Sequence, residues 1–300
     1  MKRYSQKDRR VRWLAMAVLI AVATVGATWN NELMLERQRK DAEFKASPTS
    51  PMAAIKRLLA PPGSQMVLIE SQQGLALGPQ SVRGAKMLLR DSSKGWIFES
   101  PASGVVCQVE GKAIAAGMPI PSGALFRIGR FTLAAYISRD GLALVVFDPQ
   151  RPERQSFVHL MYYSPDPAYA VSAKLEKFAT SEKVSMLTSR NLEKTFFRYG
   201  RIHFRLSGQS LTLTAFKSDL SGPDSHTLFI PFKDPTNGAE TYGVGRFLEI
   251  PEPVQAEFVL DFNRCFNPLC NYSPAYNCPL PPRENFLSAA IRAGEKTYPH

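Results

Sequence analysis

The residues best suited to chemistry gather late in the chain: Asp234, Glu240, Thr241, Tyr242, Arg246, Asp261, Asn263, Asn285, Arg292, Glu295 and Lys296. A carboxylate set beside a tyrosine, an asparagine and an arginine can move a proton, and the planar guanidinium fork matches a carboxylate or phosphate. The same residue types also serve proline-rich loops, whose backbone groups need buried hydrogen-bonding side chains. Several of the positions suit turns for purely local reasons. A structural network and a polar pocket therefore both stand as readings. Gly243 and Gly245, flanking the step from Tyr242 to Arg246, lean towards a pocket, because small residues let a backbone approach a bound molecule closely.

Other chemistries find little material. Cys107 stands alone, while Cys265, Cys270 and Cys278 lie within fourteen residues. In an oxidising compartment one disulfide inside that cluster is the economical expectation, with free thiols or a metal site as alternatives. Zinc needs four ligands, and no histidine follows the cluster before His300. His159, His203 and His226 are scattered and read as strand-face or turn residues. There is no Gly-x-Ser-x-Gly elbow and no His-Glu-x-x-His helix. Neither a metal nor a cofactor is expected.

The elements that must position these residues are mostly strands. Met66–Glu70, Lys86–Arg90, Trp96–Glu99, Val105–Val109, Leu125–Ile128, Phe131–Ile137 and Leu142–Phe147 are short apolar or alternating runs, spaced by turn residues in the manner of a β-sandwich or barrel. Asp140-Gly141 supplies a hairpin turn. The polar segment 148–154 reads as a boundary. Strands then resume at Ser156–Tyr163, Ala170–Phe178, Lys183–Thr188, Lys194–Tyr199, Ile202–Leu206, Leu211–Phe216, Leu228–Phe232 and Phe258–Phe262, before a loop-like region from Asn263 and a short ordered tail at 286–296.

Within the second half, Asp234-Pro235-Thr236, Glu240-Thr241-Tyr242-Gly243 and Gly245-Arg246-Phe247-Leu248 form one motif. Leu260-Asp261-Phe262-Asn263-Arg264, Asn267-Pro268, Cys270, Cys278-Pro279-Leu280-Pro281-Pro282, Asn285 and Ile291-Arg292-Ala293-Gly294-Glu295-Lys296 form the next. Together they resemble the signature of the bacterial "domain of unknown function 1684" family. Weaker similarity reaches Tyr162-Tyr163-Ser164-Pro165-Asp166, Arg39–Phe44 and Ser50-Pro51. The resemblance implies an all-β architecture and brings no established activity. It points to Cys270 and Cys278 as the candidate disulfide, with Cys265 an additional thiol where the family has a small residue. The early segments Val109–Lys112 and Leu125–Phe131 are similar to late strands of forkhead-associated domains, yet Pro79 replaces the phosphate-binding arginine and no histidine precedes His159, so phosphothreonine binding is not expected.

The formal charge of +11 is uneven. Residues 1–12 hold six basic side chains against Asp8, which supplies +5 and leaves +6 for everything after them. No basic helix or long run of like charge follows, so nucleic acid is not an expected partner. Trp13 to Trp29 is seventeen residues without a charge, just enough to cross a thin hydrocarbon core at about 1.5 Å per residue. Basic residues before it and Asn30, Asn31 and Glu32 after it place the N-terminus in the cytoplasm and the rest outside. Val25-Gly26-Ala27 keeps a cleaved signal peptide open as the alternative. Residues 31–46, with Asn31 able to cap them, read as a helical stalk.

The expectation is thus a mainly β protein with a basic tip and anchor (1–29), a helical stalk and linker (30–63), a small forkhead-associated-like β-sandwich (64–150) and a larger β-sandwich or barrel-like domain (151–300). Held to the inner membrane through residues 13–29, it binds a small ligand or an envelope protein on the extracytoplasmic side. The alternative is a hydrolase of an anionic envelope component, with Asp234 or Asp261 as general base.

Overall fold

Short apolar runs broken by turn residues fold here into antiparallel ladders. The computed structural model describes residues 27–71, 74–82, 85–99, 105–138 and 140–299. The first unit contains β1 (Ala54–Ala60), β2 (Gln65–Ser71), β3 (Gly74–Pro79), β4 (Ala85–Ser92), β5 (Gly95–Glu99), β6 (Val106–Val109), β7 (Lys112–Ile114), β8 (Leu125–Ile128), β9 (Phe131–Ser138) and β10 (Gly141–Phe147). They form a six-stranded sheet in the order β1-β10-β9-β8-β6-β7 and a four-stranded sheet in the order β3-β2-β4-β5. Leu68, Met87, Leu89, Trp96 and Phe98 from the smaller sheet share a core with Phe126, Leu133, Leu142, Leu144 and Val146 from the larger, so the unit is a sandwich. Residues 54–60, expected as linker, are its first strand and pair with β10. Gly141 has φ +111°, and a Cβ there would lie 2.1 Å from the Ala60 carbonyl oxygen, which requires glycine at the hairpin.

The second unit is a single sheet of β11 (Ala170–Leu187), β12 (Glu193–Leu206), β13 (Gln209–Lys217), β14 (Thr227–Phe232), β15 (Arg246–Pro251) and β16 (Glu257–Asp261), ordered β15-β14-β13-β12-β11-β16. Two pairs of expected strands are fused into β11 and β12, whose ladder shifts register between Lys177 and Glu182. Gly200 makes the fusion possible, because a Cβ there would sit 2.7 Å from the Glu176 carbonyl oxygen. Residues 156–163 are not a strand. Phe157 and Leu160 are instead buried anchors of a loop, packed with Phe44, Met52 and Tyr272, and only Tyr162 makes an isolated bridge, to Glu295.

The units share a core. Every residue of β10 is buried: Leu142, Leu144 and Val146 face the sandwich interior, while Val145 and Phe147 meet Phe196, Phe216, Phe229 and Phe247 of the second sheet. A strand covered on both faces accounts for its unbroken apolar run. The opposite face of the second sheet is covered by the C-terminal tail through Leu287, Ala289, Ile291 and Ala293.

Residues 27–46 form helix α1. It begins before Asn31, so Asn31 lies inside the helix and does not cap it. The helix is docked on the protein, with Leu33, Arg37 and Phe44 buried along one face. Most of the expected membrane span, residues 13–26, lies outside the described residues. Among the described residues no helix is long and apolar enough to cross a membrane.

Phe147→Ala should lower unfolding stability by about 3–5 kcal/mol, read by urea titration, since a fully buried aromatic ring leaves a cavity between two sheets. A second measurement addresses Glu252. Burial opposes its ionisation, but hydrogen bonds from Lys177, Lys217 and Tyr199 outweigh this and hold its carboxyl down at about 2. A depressed carboxyl stabilises the fold above its unfolded pKa of about 4.3 and loses that contribution as pH falls towards 2. Glu252→Gln should therefore melt lower at neutral pH and show a flatter pH dependence across that acid window.

Candidate functional site

The loop between β14 and β15 opens with Lys233 and Asp234 and delivers Arg246 into the protein interior. Both side chains are fully buried, with Arg246 Nη2 2.8 Å from Asp234 Oδ2. The guanidinium also donates to three tail carbonyls: Ile291 O at 2.6 Å, Ala293 O at 2.5 Å and Glu295 O at 3.3 Å. Asp234 Oδ1 accepts from the Thr236 and Ile291 amides. Thr241 closes the loop on Thr236, their hydroxyls 2.8 Å apart. Asn285 inserts between β13 and β14, bonding both backbone groups of Thr214 and the Pro231 carbonyl.

Gly245, expected to admit a ligand, has φ +120° and accommodates the Phe232 carbonyl and the Pro281 ring, which a Cβ would approach to 2.6 and 2.8 Å. Asp234, Thr236, Thr241 and Arg246 therefore form one buried knot with the tail carbonyls, in which Arg246 Nε alone of the guanidinium nitrogens has no partner among the described residues, while Asn285 separately pins the neighbouring strands.

The remaining candidates lie in two further groups. Glu240 takes a hydrogen bond from Tyr163 at 2.9 Å and pairs with Arg292 at 3.0 Å on the surface, and Lys296 Nζ stands 5.3 Å from the Tyr163 ring centroid. The Arg292 guanidinium, and then Tyr163, hold the Glu240 carboxyl below the usual range. The third group faces α1. Asp261 accepts from Trp29 Nε1 at 2.8 Å and from Arg264, and it also caps the turn at Asn263. Asn263 binds both backbone groups of Asp166. Glu295, only 1% exposed, accepts from Lys40 Nζ at 2.5 Å, Tyr272 OH at 2.7 Å and the Asn267 amide at 2.8 Å. Arg37 donates to the carbonyls of Tyr163 and Asn263. Each named carboxylate has cationic or hydrogen-bonding partners, and none faces another across an open cleft.

What the sequence did not reveal is a groove of about 550 Å³ between α1 and the loop after β16. Phe44, Phe266, Leu269, Tyr276 and, from the sandwich, Tyr136 supply apolar and aromatic surface, while Glu36, Arg39 and Glu43 add charge. Lys40 Nζ, tied to Glu295, sits 4.7 Å from the Phe266 ring centroid. The Arg39–Phe44 motif was the available signal, because its residues at helical spacing face the signature loops. A larger concavity of about 660 Å³ lies among β11, β12 and β13, around Lys174, His203 and Thr212. It is open sheet surface joined by no loop of the signature, so its size does not make it the better site.

Tyr242 turns to the cysteines, its hydroxyl 3.3 Å from the Cys270 carbonyl oxygen and 3.7 Å from Cys270 Sγ. All four cysteines are free thiols, so the expected Cys270–Cys278 disulfide is absent. The two are nonetheless adjacent, the Cys270 amide donating to Cys278 Sγ at 3.3 Å. Cys265 takes no part. It lies in the core beneath Gly294, where its thiol meets the Ala293 carbonyl at 3.4 Å.

Residues 155–296 match the family described as "Protein of unknown function (DUF1684)". An uncharacterized protein of Haloarcula marismortui with a solution NMR structure is 39% identical, over 50% of this chain and 83% of its own, with a TM-score of 0.42. No curated protein matches the chain.

Arg246→Ala should cost about 3–5 kcal/mol by urea denaturation, because it strands a buried carboxylate and the tail carbonyls. Glu240→Gln, at a partly exposed pair, should leave the urea midpoint nearly unchanged in the same assay.

Proposed function

The chain belongs to the DUF1684 family, and we propose that it is a non-catalytic binding protein whose ligand occupies the groove between α1 and residues 266–276. The observation that carries this reading is the composite wall: helix, sandwich and signature loop each contribute side chains to one concavity. Its volume lies within the roughly 300–1,000 Å³ usual for small-molecule sites, and its aromatic lining with a few fixed charges suits such a site. The ligand class that fits is a small amphipathic molecule, its apolar body against Phe44, Phe266 and Tyr276 and its polar end towards Arg39 and Lys40.

Binding is favoured over hydrolysis by the state of the carboxylates. Both oxygens of Asp234 are engaged within the protein, and those of Asp261 hold Trp29, Arg264 and Asn263. A general base needs a lone pair within reach of substrate. A membrane tether at residues 13–29 and an extracytoplasmic address belong to the same proposal and rest on the charge pattern of the sequence.

The test is a thermal-shift screen of amphipathic acids and amphipathic amines on the full chain in detergent. A ligand at a hundredfold excess over its Kd should stabilise the wild type by about 2.7 kcal/mol. Leu269→Trp, which fills the groove from an exposed position, should abolish the shift while leaving the unliganded melting point nearly unchanged. Equal shifts in both proteins, or none in the wild type, would remove the groove from consideration.

A further inference from the structure

We propose that Cys270 and Cys278 form an exchange-active dithiol, in which Cys270 attacks a low-molecular-weight disulfide and Cys278 resolves the product. The geometry gives the two thiols different roles. Cys270 sits in the turn Leu269–Asn271, half-buried, between the Tyr242 hydroxyl and the Cys278 sulfur. Cys278 lies deeper, in the aromatic cluster of the inter-sheet core. Its backbone is pinned on both sides by Ser189, whose hydroxyl accepts from the Cys278 amide at 3.2 Å and whose amide donates to the Cys278 carbonyl at 2.8 Å. The outer sulfur is thus the one a solute meets first, and the inner one is held against it.

The acidities agree with this division. The Cys278 thiol, against the opposing effect of burial and with help from Tyr242 and Ser189, pulls Cys270 down to about 7. Donating to Cys270, together with burial, pushes Cys278 up. Burial alone pushes Cys107 up to about 11, and burial likewise puts Cys265 at about 11.

In the first step the Cys270 thiolate bonds to one sulfur of a disulfide RSSR, the S–S bond breaks, and RS⁻ leaves and takes a proton. In the second, Cys278 gives up its proton to water and attacks Cys270 Sγ, expelling the second RS⁻, which is protonated. The two cysteine sulfurs lose two electrons and RSSR gains them, leaving one internal disulfide and two RSH. The loop 269–278 would then be cross-linked behind Leu269 and Tyr276. The inference does not depend on a groove ligand.

Two measurements on the reduced full chain in detergent test it. In pulse alkylation with iodoacetamide near pH 7.5 (about half a unit above the Cys270 value), peptide mapping should find Cys270 labelled roughly twenty-fold or more faster than Cys107 and Cys265. That figure combines the larger thiolate fraction with the lower intrinsic nucleophilicity of the more acidic thiol. With oxidised glutathione, the wild type should end with a mapped 270–278 disulfide. Cys278→Ser should retain one glutathione on Cys270, and Cys270→Ser should take up none at Cys278. Labelling of Cys270 no faster than the two core thiols in the native wild type would overturn the proposal whatever the variants do. So would a stable glutathione adduct on wild-type Cys270 with no internal disulfide.

Discussion

A guanidinium with no access to water must find its solvation inside the protein, and at Arg246 this demand shapes most of the second unit. Burying such a charge costs several kcal/mol unless an opposite charge and further acceptors replace the lost hydration. Asp234 supplies the charge, and carbonyls of Ile291, Ala293 and Glu295 supply acceptors. Those carbonyls converge only if the tail bends, which it does at Gly294 with φ +72°, where a Cβ would strike Cys265. The bend in turn lays Ile291 and Ala293 over the sheet and turns Glu295 towards α1. One arginine thereby couples the β14–β15 loop, the tail and the N-terminal helix.

The helix completes the arrangement in a way its sequence understates. Leu33 and Phe44 provide a narrow apolar stripe, too little to hold a helix by hydrophobic burial alone. The positions between them do the rest through Arg37, Lys40 and Asp41, each matched to a fixed group of the loops. A free stalk and a docked strap have similar compositions, since both mix acids and bases. They differ in whether partners exist elsewhere in the chain, which is tertiary information.

Other elements were legible for clear reasons. The strands Phe131–Ile137 and Leu142–Phe147 show in the sequence because β-branched and aromatic runs bounded by turn residues have few other outcomes. The strand Ala54–Ala60 was hidden by Lys56 and Arg57 at an edge position, and residues 156–163 mislead because Phe157 and Leu160 anchor a loop with the same apolar types a strand would use. The polar residues stand out in the sequence by type, but the structure distributes them over three groups, and residue type cannot distinguish a pocket from a knot. Arg246 and Asp234 suit either role. Only the route of the tail decides that the space is occupied by its own carbonyls. The groove was hard to read from the sequence because its wall combines residues 36–51, Tyr136 and 266–276, three stretches far apart in the chain.

The double-sided burial of β10 bears on what can be cut from this chain. The matched family region starts at residue 155, yet its sheet presents Phe196, Phe216, Phe229 and Phe247 to a surface made by Ala53, Ala134, Val145 and Phe147 of the preceding unit. Separated there, the second unit would expose a continuous phenylalanine face of the kind that drives self-association in water. Any protein in which this region stands without such a sandwich must therefore carry different residues on that face or cover it with another surface.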